Sequence, residues 1–102
     1  MPYIRPEVQD ELDAFIDDLV SALIEQSKAG KVRDPAKLSG NLTYAITALF
    51  VRLYGGAESQ TTGRYHSFVQ VQGILANVAH EYYRRVIAPY EDRKIEENGD
   101  VF

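Results

Sequence analysis

The strongest pattern in the chain is a helical repeat of apolar residues, and residues 65–87 carry two such stripes instead of one. At about 100° per residue, positions three or four apart share one helix face. The first stripe consists of Phe68, Val71, Leu75, Val78, Tyr82 and Val86. The second stripe, more than a quarter turn away, consists of Val69, Gly73, Ala76, His80, Tyr83 and Ile87. A helix that is apolar on two sides needs two partners, in the same chain or across an oligomer.

Another amphipathic helix is predicted near the start of the chain. Pro6 suits a first helical position, where its missing N–H is not needed. The apolar stripe that follows is Val8, Leu12, Phe15, Ile16, Leu19, Val20 and Leu23. We expect this helix to end near residues 29–30, with Gly30 as its C-terminal cap.

A second helix should follow a short polar connection. Pro35 is expected to block helix in that connection, so Ser39 or Asn41 would cap the second helix. Its main stripe is Leu42, Ile46, Leu49, Phe50 and Leu53. The glycines at 55–56 should stop it, and residues 57–64 have the composition of a loop.

The third helix should end or kink at Pro89, which also disfavours helical geometry at Ala88. Residues 90–97 can form one or two further turns before the turn signal at 98–99. The predicted fold is therefore an all-α bundle of three main helices with a short C-terminal helical segment. It forms a single helical domain over residues 1–102.

Composition limits the possible partners. The net charge of −4 argues against nucleic acid, which requires a basic surface. The absence of cysteine excludes disulfides and thiolate metal sites. The first six residues, Met-Pro-Tyr-Ile-Arg-Pro, contain no apolar signal core, and no run in the sequence approaches about 20 apolar residues. We expect a protein of the cytoplasm that has no membrane partner and no cofactor.

Few residues suggest catalysis. His66 and His80 are fourteen residues apart, about 20 Å along one helix, and cannot share a metal. The acids of the first helix that oppose its apolar stripe are Glu7, Asp10, Asp13, Asp17 and Asp18. Closely spaced carboxylates can bind a divalent metal, but a solvated helix face is the favoured interpretation. Glu7, Asp10 and Glu11 approximate the Glu-x-x-Glu pair of all-α nucleotide pyrophosphohydrolases. The Glu-x-x-Asp pair of those enzymes is incomplete here, because Arg84 stands three residues after Glu81 where an acid is required.

Between the stripes of the third helix lies a polar line. Together with nearby tyrosines and a local basic cluster, it gives a candidate ligand site: Gln70, Asn77, Glu81, Arg84, Arg85, Tyr83 and Tyr90. Arginine binds carboxylate or phosphate through two parallel hydrogen bonds, and tyrosine rings can stack on an aromatic ligand. A small anionic, nucleotide-like ligand would suit this set. The alternative is that Glu81 simply forms intrahelical ion pairs with Arg84 and Arg85, and that alternative is favoured.

Gly73 lies in the middle of the predicted third helix, where glycine costs roughly 0.5–1 kcal/mol relative to alanine. Close approach of another backbone would compensate. The second stripe is therefore predicted to make a helix-to-helix contact, either within the chain or between two copies. As an oligomer interface it would be formed by Val69, Gly73, Ala76, His80, Tyr83 and Ile87.

Two segments resemble a family of small uncharacterised prokaryotic and phage proteins. Residues 40–47, Gly-Asn-Leu-Thr-Tyr-Ala-Ile-Thr, are similar to the family's Gly-Asn-Leu-Asn-Tyr-x-Ile-Thr, with Thr43 in place of asparagine. The ending is similar as well, with Tyr-Arg-Arg at 83–85, Pro-Tyr-Glu-Asp at 89–92 and Asn-Gly-Asp-Val at 98–101. The resemblance implies a phage-related context, in a prokaryotic host cell, and no established activity.

These observations favour a non-enzymatic binding or interaction protein. It would act as a homo-oligomer, most simply a two-fold dimer, with a polar pocket at or near the interface. A sharper alternative is a phage-type sponge that sequesters a nucleotide-like signalling ligand. The remaining alternatives are a purely structural role with a protein partner and a metal-dependent nucleotide pyrophosphohydrolase.

Overall fold

The structure is a computed structural model that describes residues 3–56 and 64–102. Its elements are α1 (Pro6–Gln26), β1 (Lys28–Ala29), β2 (Val32–Arg33), α2 (Pro35–Tyr54), α3 (Arg64–Tyr82), a π-helical turn (Tyr83–Ile87) and α4 (Ala88–Asn98). The all-α prediction is confirmed, since the only strands in the described ranges are two residues long. The chain divides into two compact units, Met1–Gln60 and Thr61–Phe102. The prediction of a single domain stays a prediction.

The first unit is a helical hairpin whose two helices are joined by a small antiparallel β-hairpin. Lys28 pairs with Arg33 and Ala29 with Val32, which leaves a two-residue turn between the strands. Gly30 has a φ of +70° there, while Lys31 does not have a positive φ. This is the pattern of a type II′ turn, which requires glycine at its first central position. The prediction that Gly30 caps α1 was wrong, because α1 ends earlier and the glycine serves the turn instead.

The end of α1 and the start of α2 are fastened together at Ser27. The Ser27 side chain is fully buried, and its hydroxyl accepts a hydrogen bond of 3.1 Å from Asn41 Nδ2. The same amide also donates to the carbonyl of Gln26 at 3.3 Å. The Ser27 carbonyl accepts from the Asp34 N–H at 2.8 Å. One serine thus joins both helices and the hairpin between them.

The predicted start of α2 was wrong. Asp34 caps the helix by accepting a hydrogen bond of 3.0 Å from the Ala36 N–H, and Pro35 is the first helical residue. Proline is well tolerated at this position because its missing N–H would have no helical partner. Ser39 and Asn41 therefore lie inside the helix and do not cap it. The stop at Gly55 is confirmed: it has a φ of +87° and donates to the Val51 carbonyl.

The second unit is one continuous helical segment from residue 64 to residue 98, and Pro89 does not break it. The prediction for Ala88 was wrong, since its φ of −60° and ψ of −46° are helical. A normal α turn would press the proline ring against the carbonyl four residues earlier. The π-helical turn relieves this clash because its wider ring, in which the Ala88 N–H donates to the Tyr83 carbonyl, displaces that carbonyl. The predicted extra turns at 90–97 are confirmed within α4, and residues 57–63 of the predicted loop lie outside the described ranges.

Large apolar side chains remain uncovered on every helix of the described ranges. No apolar residue there is buried, and Ser27 is the only buried residue. On α1, Phe15 is 74% exposed, and on α2, Leu53 is likewise 74% exposed. On α3, Val78 is 61% exposed. The described part of the chain therefore contains no hydrophobic core of its own.

Candidate functional site

Two members of the predicted ligand site, Glu81 and Arg84, form an ion pair with each other. Arg84 Nη2 donates to both carboxylate oxygens of Glu81, at 3.0 and 3.1 Å, and Arg84 Nε donates to one of them at 3.1 Å. The residues are three apart on the helix, and their side chains are 61% exposed for Arg84 and 27% for Glu81. The structure thus contains the intrahelical pair that was the favoured alternative. The Glu81 carboxylate occupies the face of the guanidinium that an anionic ligand would use.

The two tyrosines of the candidate site contact charged residues of α4. The Tyr83 hydroxyl donates to Glu91 Oε1 at 2.9 Å. This hydrogen bond, together with the negative charge of Glu91, raises the pKa of the Tyr83 phenol above its ordinary value. The Lys94 ammonium lies 5.6 Å from the centroid of the Tyr90 ring and also pairs with Glu97 at 3.0 Å.

The remaining members are exposed along the same helical segment. Gln70 and Asn77 lie on α3, and Arg85 lies in the π-helical turn, where it makes no ion pair with a described residue. The seven residues therefore share one continuous segment, and Tyr83, Arg84 and Arg85 follow one another in its π-helical turn.

The π-helical turn changes which positions align beyond Tyr82. In an α-helix residues eight apart lie about 80° out of line, but the one extra residue of a π turn brings them back onto one side. This is why Tyr83 reaches Glu91, eight residues on. The same shift applies to the ends of both stripes. Ile87 now follows Tyr82 on the first stripe, and Ala88 follows Tyr83 on the second.

The turn opens onto a concavity at the C-terminal end of the second unit. This open space of about 570 Å³ is lined by Tyr83, Tyr90, Glu91 and Lys94 among others, and by the residues after α4. Sequence reasoning included the two tyrosines but missed Glu91 and Lys94 as their contacts. A spacing of eight residues is no signal in a regular helix, so only the π-helical turn reveals the Tyr83–Glu91 contact. Tyr90 and Lys94 are four residues apart, a spacing from which sequence reasoning could have found their contact.

The predicted interface stripe lies uncovered along α3 and the π-helical turn. Val69 is 51% exposed, Tyr83 52% and Ile87 38%, while Ala76 and His80 are also exposed. A Cβ added at Gly73 would meet nothing within 4 Å. The free-energy cost of a glycine in the middle of this helix is therefore not offset by a close contact among the described residues. The stripe's role as an interface stays a prediction.

The described residues hold no candidate metal centre. Within 3–56 and 64–102, no three histidine, aspartate or glutamate side chains come together closely enough to hold an ion. The acids of α1 that oppose its apolar stripe are exposed to solvent. His66 and His80 lie on α3, fourteen positions apart as the sequence implied.

Among the described helices, none has both the length and the apolar character needed to cross a membrane.

The comparisons with known proteins identify a family but no activity. No curated protein and no solved structure matches the chain. A family model does match residues 1–101, and the chain therefore belongs to the family described as a domain of unknown function (DUF6899).

Proposed function

We propose that the protein is a helical homo-oligomer that binds a small anionic ligand without transforming it. One observation carries the oligomer: no apolar residue in the described ranges is buried, although large apolar residues line every helix. A chain of 102 residues needs a buried core to offset the conformational entropy lost on folding. Contact with further copies of the chain supplies that core.

Exposure of this kind is unusual for a protein that works alone. Monomeric proteins rarely expose contiguous apolar patches larger than a few hundred Å², and larger patches mark interaction sites. Leu12 on α1, Leu49 on α2 and Leu75 on α3 are each nearly half exposed. Burying a fully exposed leucine contributes about 1.5–3 kcal/mol, so burying the exposed part of one such side chain contributes roughly half of that. Summed over the exposed apolar residues of each helix, burial gives a large favourable contribution to the free energy of assembly.

The arginines of the π-helical turn support binding of an anion. An exposed ion pair such as Arg84–Glu81 contributes only about 0–1 kcal/mol, so a ligand phosphate or carboxylate can displace Glu81 from the guanidinium. Arg85 follows directly and makes no ion pair with a described residue. Tyr83 directly precedes the two arginines in the chain and lines the concavity together with Tyr90 and Lys94, which suits a ligand that is both anionic and aromatic.

The resemblance of residues 40–47 and 83–101 to prokaryotic and phage proteins supports a more specific version of this proposal. In that version the oligomer is a phage-related cytoplasmic sponge that sequesters a nucleotide-like signal. It would hold the intact ligand and release it unchanged.

Native mass spectrometry of protein freshly purified from cells tests the proposal. We expect a multiple of the 11.5 kDa chain mass together with additional bound mass of nucleotide size. Replacing both Arg84 and Arg85 by alanine should remove the additional mass and leave the oligomer intact. Arg33→Ala, at an exposed arginine of the β-hairpin, is the matched control and should retain the ligand.

Each other outcome has a defined meaning. A bare single chain would contradict the oligomer, and the core would then have to be made within one chain. An oligomer whose bound mass survives the double substitution would contradict the arginine site. Ligand recovered as cleaved products, formed only with a divalent metal, would replace binding by the hydrolase alternative.

A further inference from the structure

We infer, on the basis of the proposed anion site, that Arg93 is a further binding residue of that site and holds the ligand together with Arg85. The two arginines are eight residues apart, Arg85 in the π-helical turn and Arg93 in α4. Both residues are exposed, and neither makes an ion pair with a described residue. Each guanidinium group can therefore bind an anion from solution without first breaking an ion pair.

The π-helical turn brings these two arginines towards one side of the helical segment. Residues eight apart in a regular α-helix lie about 80° out of line. The complete turn removes this difference, in keeping with the 2.9 Å hydrogen bond between the Tyr83 hydroxyl and Glu91. Arg85 is the third of the five residues of the turn, so about half of the correction applies and Arg93 lies only about 40° from it. This is also the angle between residues four apart in an α-helix, which are close neighbours.

Pro89 occupies the position between the two arginines. It is four residues from each of them and carries neither a charge nor a backbone N–H. The backbones of the arginines lie about 12 Å apart along the axis at about 1.5 Å per residue. This separation exceeds the Debye length of about 8 Å at physiological ionic strength, so their mutual repulsion is largely screened when no ligand is bound. The ligand that both arginines can contact is an extended anion, such as a chain of linked phosphates.

The acids four residues away from the two arginines are bound by other basic residues. Glu81, four residues before the first arginine, accepts hydrogen bonds from Arg84. Glu97, four residues after the second arginine, pairs with Lys94 at 3.0 Å. Glu96, three residues after the second arginine, makes no ion pair with it. The ion pairs of the described segment therefore leave both arginines available to a ligand.

Calorimetric titration with inorganic tripolyphosphate, a linear chain of linked phosphates, tests this role of Arg93. The titration uses the intact chain after bound small molecules have been removed by dialysis. Arg93→Ala should raise the Kd for tripolyphosphate about ten-fold, which corresponds to the loss of one charge-assisted hydrogen bond. Arg33→Ala removes the same charge from the β-hairpin, and as the control it should leave the Kd unchanged.

Pro89→Ala distinguishes a direct contact from a general effect of charge. If the segment returns to regular α-helix, the two arginines lie about 80° apart again, and Arg93→Ala should then have little further effect on the Kd. The Tyr83 titration reports whether the π-helical turn has been lost, because the raised pKa of this phenol depends on its contact with Glu91. We expect the effect of Arg93→Ala and the raised Tyr83 pKa to be lost together or kept together.

An unchanged Kd in Arg93→Ala would overturn the role of Arg93. If replacing Arg84 and Arg85 still removed the bound mass in native mass spectrometry, the proposed anion site would survive that result. Loss of the Arg93→Ala effect without loss of the raised Tyr83 pKa, or the reverse, would overturn the alignment by the π-helical turn, since net charge alone would then explain the effect. Absence of tripolyphosphate binding to the parent protein would overturn the shared extended anion, and native mass spectrometry would still decide the proposed function.

Discussion

At the scale of single residues, the Ser27–Asn41 hydrogen bond is the contact with the clearest effect on stability. Asn41→Ala removes the amide that donates to the buried Ser27 hydroxyl and to the Gln26 carbonyl. A buried polar group left without its partner costs about 1–3 kcal/mol. We expect the free energy of unfolding to fall by about that amount, which lowers the urea midpoint while the m-value stays unchanged. Asn77→Ala is the control, because Asn77 is exposed on α3 and its loss should change the free energy of unfolding by less than about 0.5 kcal/mol.

Ser27 also shows what the sequence could not reveal at this scale. A serine in a stretch of polar residues resembles any loop residue, and its contacts are with Asn41 and Asp34, which come later in the chain. If Asn41→Ala were as stable as the parent protein, the hydrogen bond to Ser27 would contribute nothing, and solvent would have to replace it.

The titration of Tyr83 gives a second prediction at the residue scale. Its folded-state pKa lies above the ordinary value of 10.0, because the phenol donates to Glu91 and its ionised form would be repelled by that carboxylate. The stabilisation from this contact is therefore fully present below about pH 10 and is lost as the pH rises through the raised pKa. Glu91→Gln should lower the Tyr83 pKa towards 10.0, measured by NMR titration of the labelled tyrosine ring carbon. Glu96→Gln, elsewhere on α4, is the control and should leave the Tyr83 pKa unchanged.

At the scale of elements, the π-helical turn couples Pro89 to this same titration. Pro89→Ala restores a backbone N–H and removes the ring, so the segment can return to regular α-helix. Glu91 would then rotate about 80° away from Tyr83. We expect the Tyr83 pKa to fall to its ordinary value although neither Tyr83 nor Glu91 has been changed. A Tyr83 titration that keeps its raised pKa in Pro89→Ala would show that the proline does not hold the π-helical turn.

The elements also show how far periodicity can be used. It identified all three main helices, because apolar spacings of three and four residues persist over their whole length. It placed the stop of α2 at Gly55 correctly but missed the end of α1, where Gly30 belongs to the β-hairpin turn, and it misjudged the two boundaries at prolines. Pro35 is the first residue of α2, and Pro89 follows the wider π-helical turn. In both cases the local backbone adapts to the N–H that proline lacks. The β-hairpin at 28–33 carries no alternating apolar pattern, so nothing in the sequence predicted its strands.

For the whole molecule, the predicted polar line could be placed from sequence, but its pairing could not. Spacing alone put Glu81 within reach of both Arg84 and Arg85, and the structure has the pair with Arg84. The Tyr83–Glu91 contact required the phase shift of the π-helical turn, whereas Tyr90 and Lys94 are four residues apart within α4, an ordinary helical spacing. The two apolar stripes of residues 65–87 could be read directly from the sequence, and most of their large side chains are exposed in the described chain.

The thermal stability of the whole molecule should therefore depend on protein concentration. If the core is completed between copies, association stabilises the folded state by mass action, and dilution favours the unfolded chain. We expect the melting temperature to rise steadily over a roughly hundred-fold increase in concentration. Leu75→Lys introduces a charge on the first stripe of α3 and should lower the melting temperature at every concentration, because assembly would bury that charge. Val101→Lys, in the exposed segment after α4, should leave the curve unchanged. A melting temperature that is the same at all concentrations would mean that one chain completes its own core, with no contribution from a second copy.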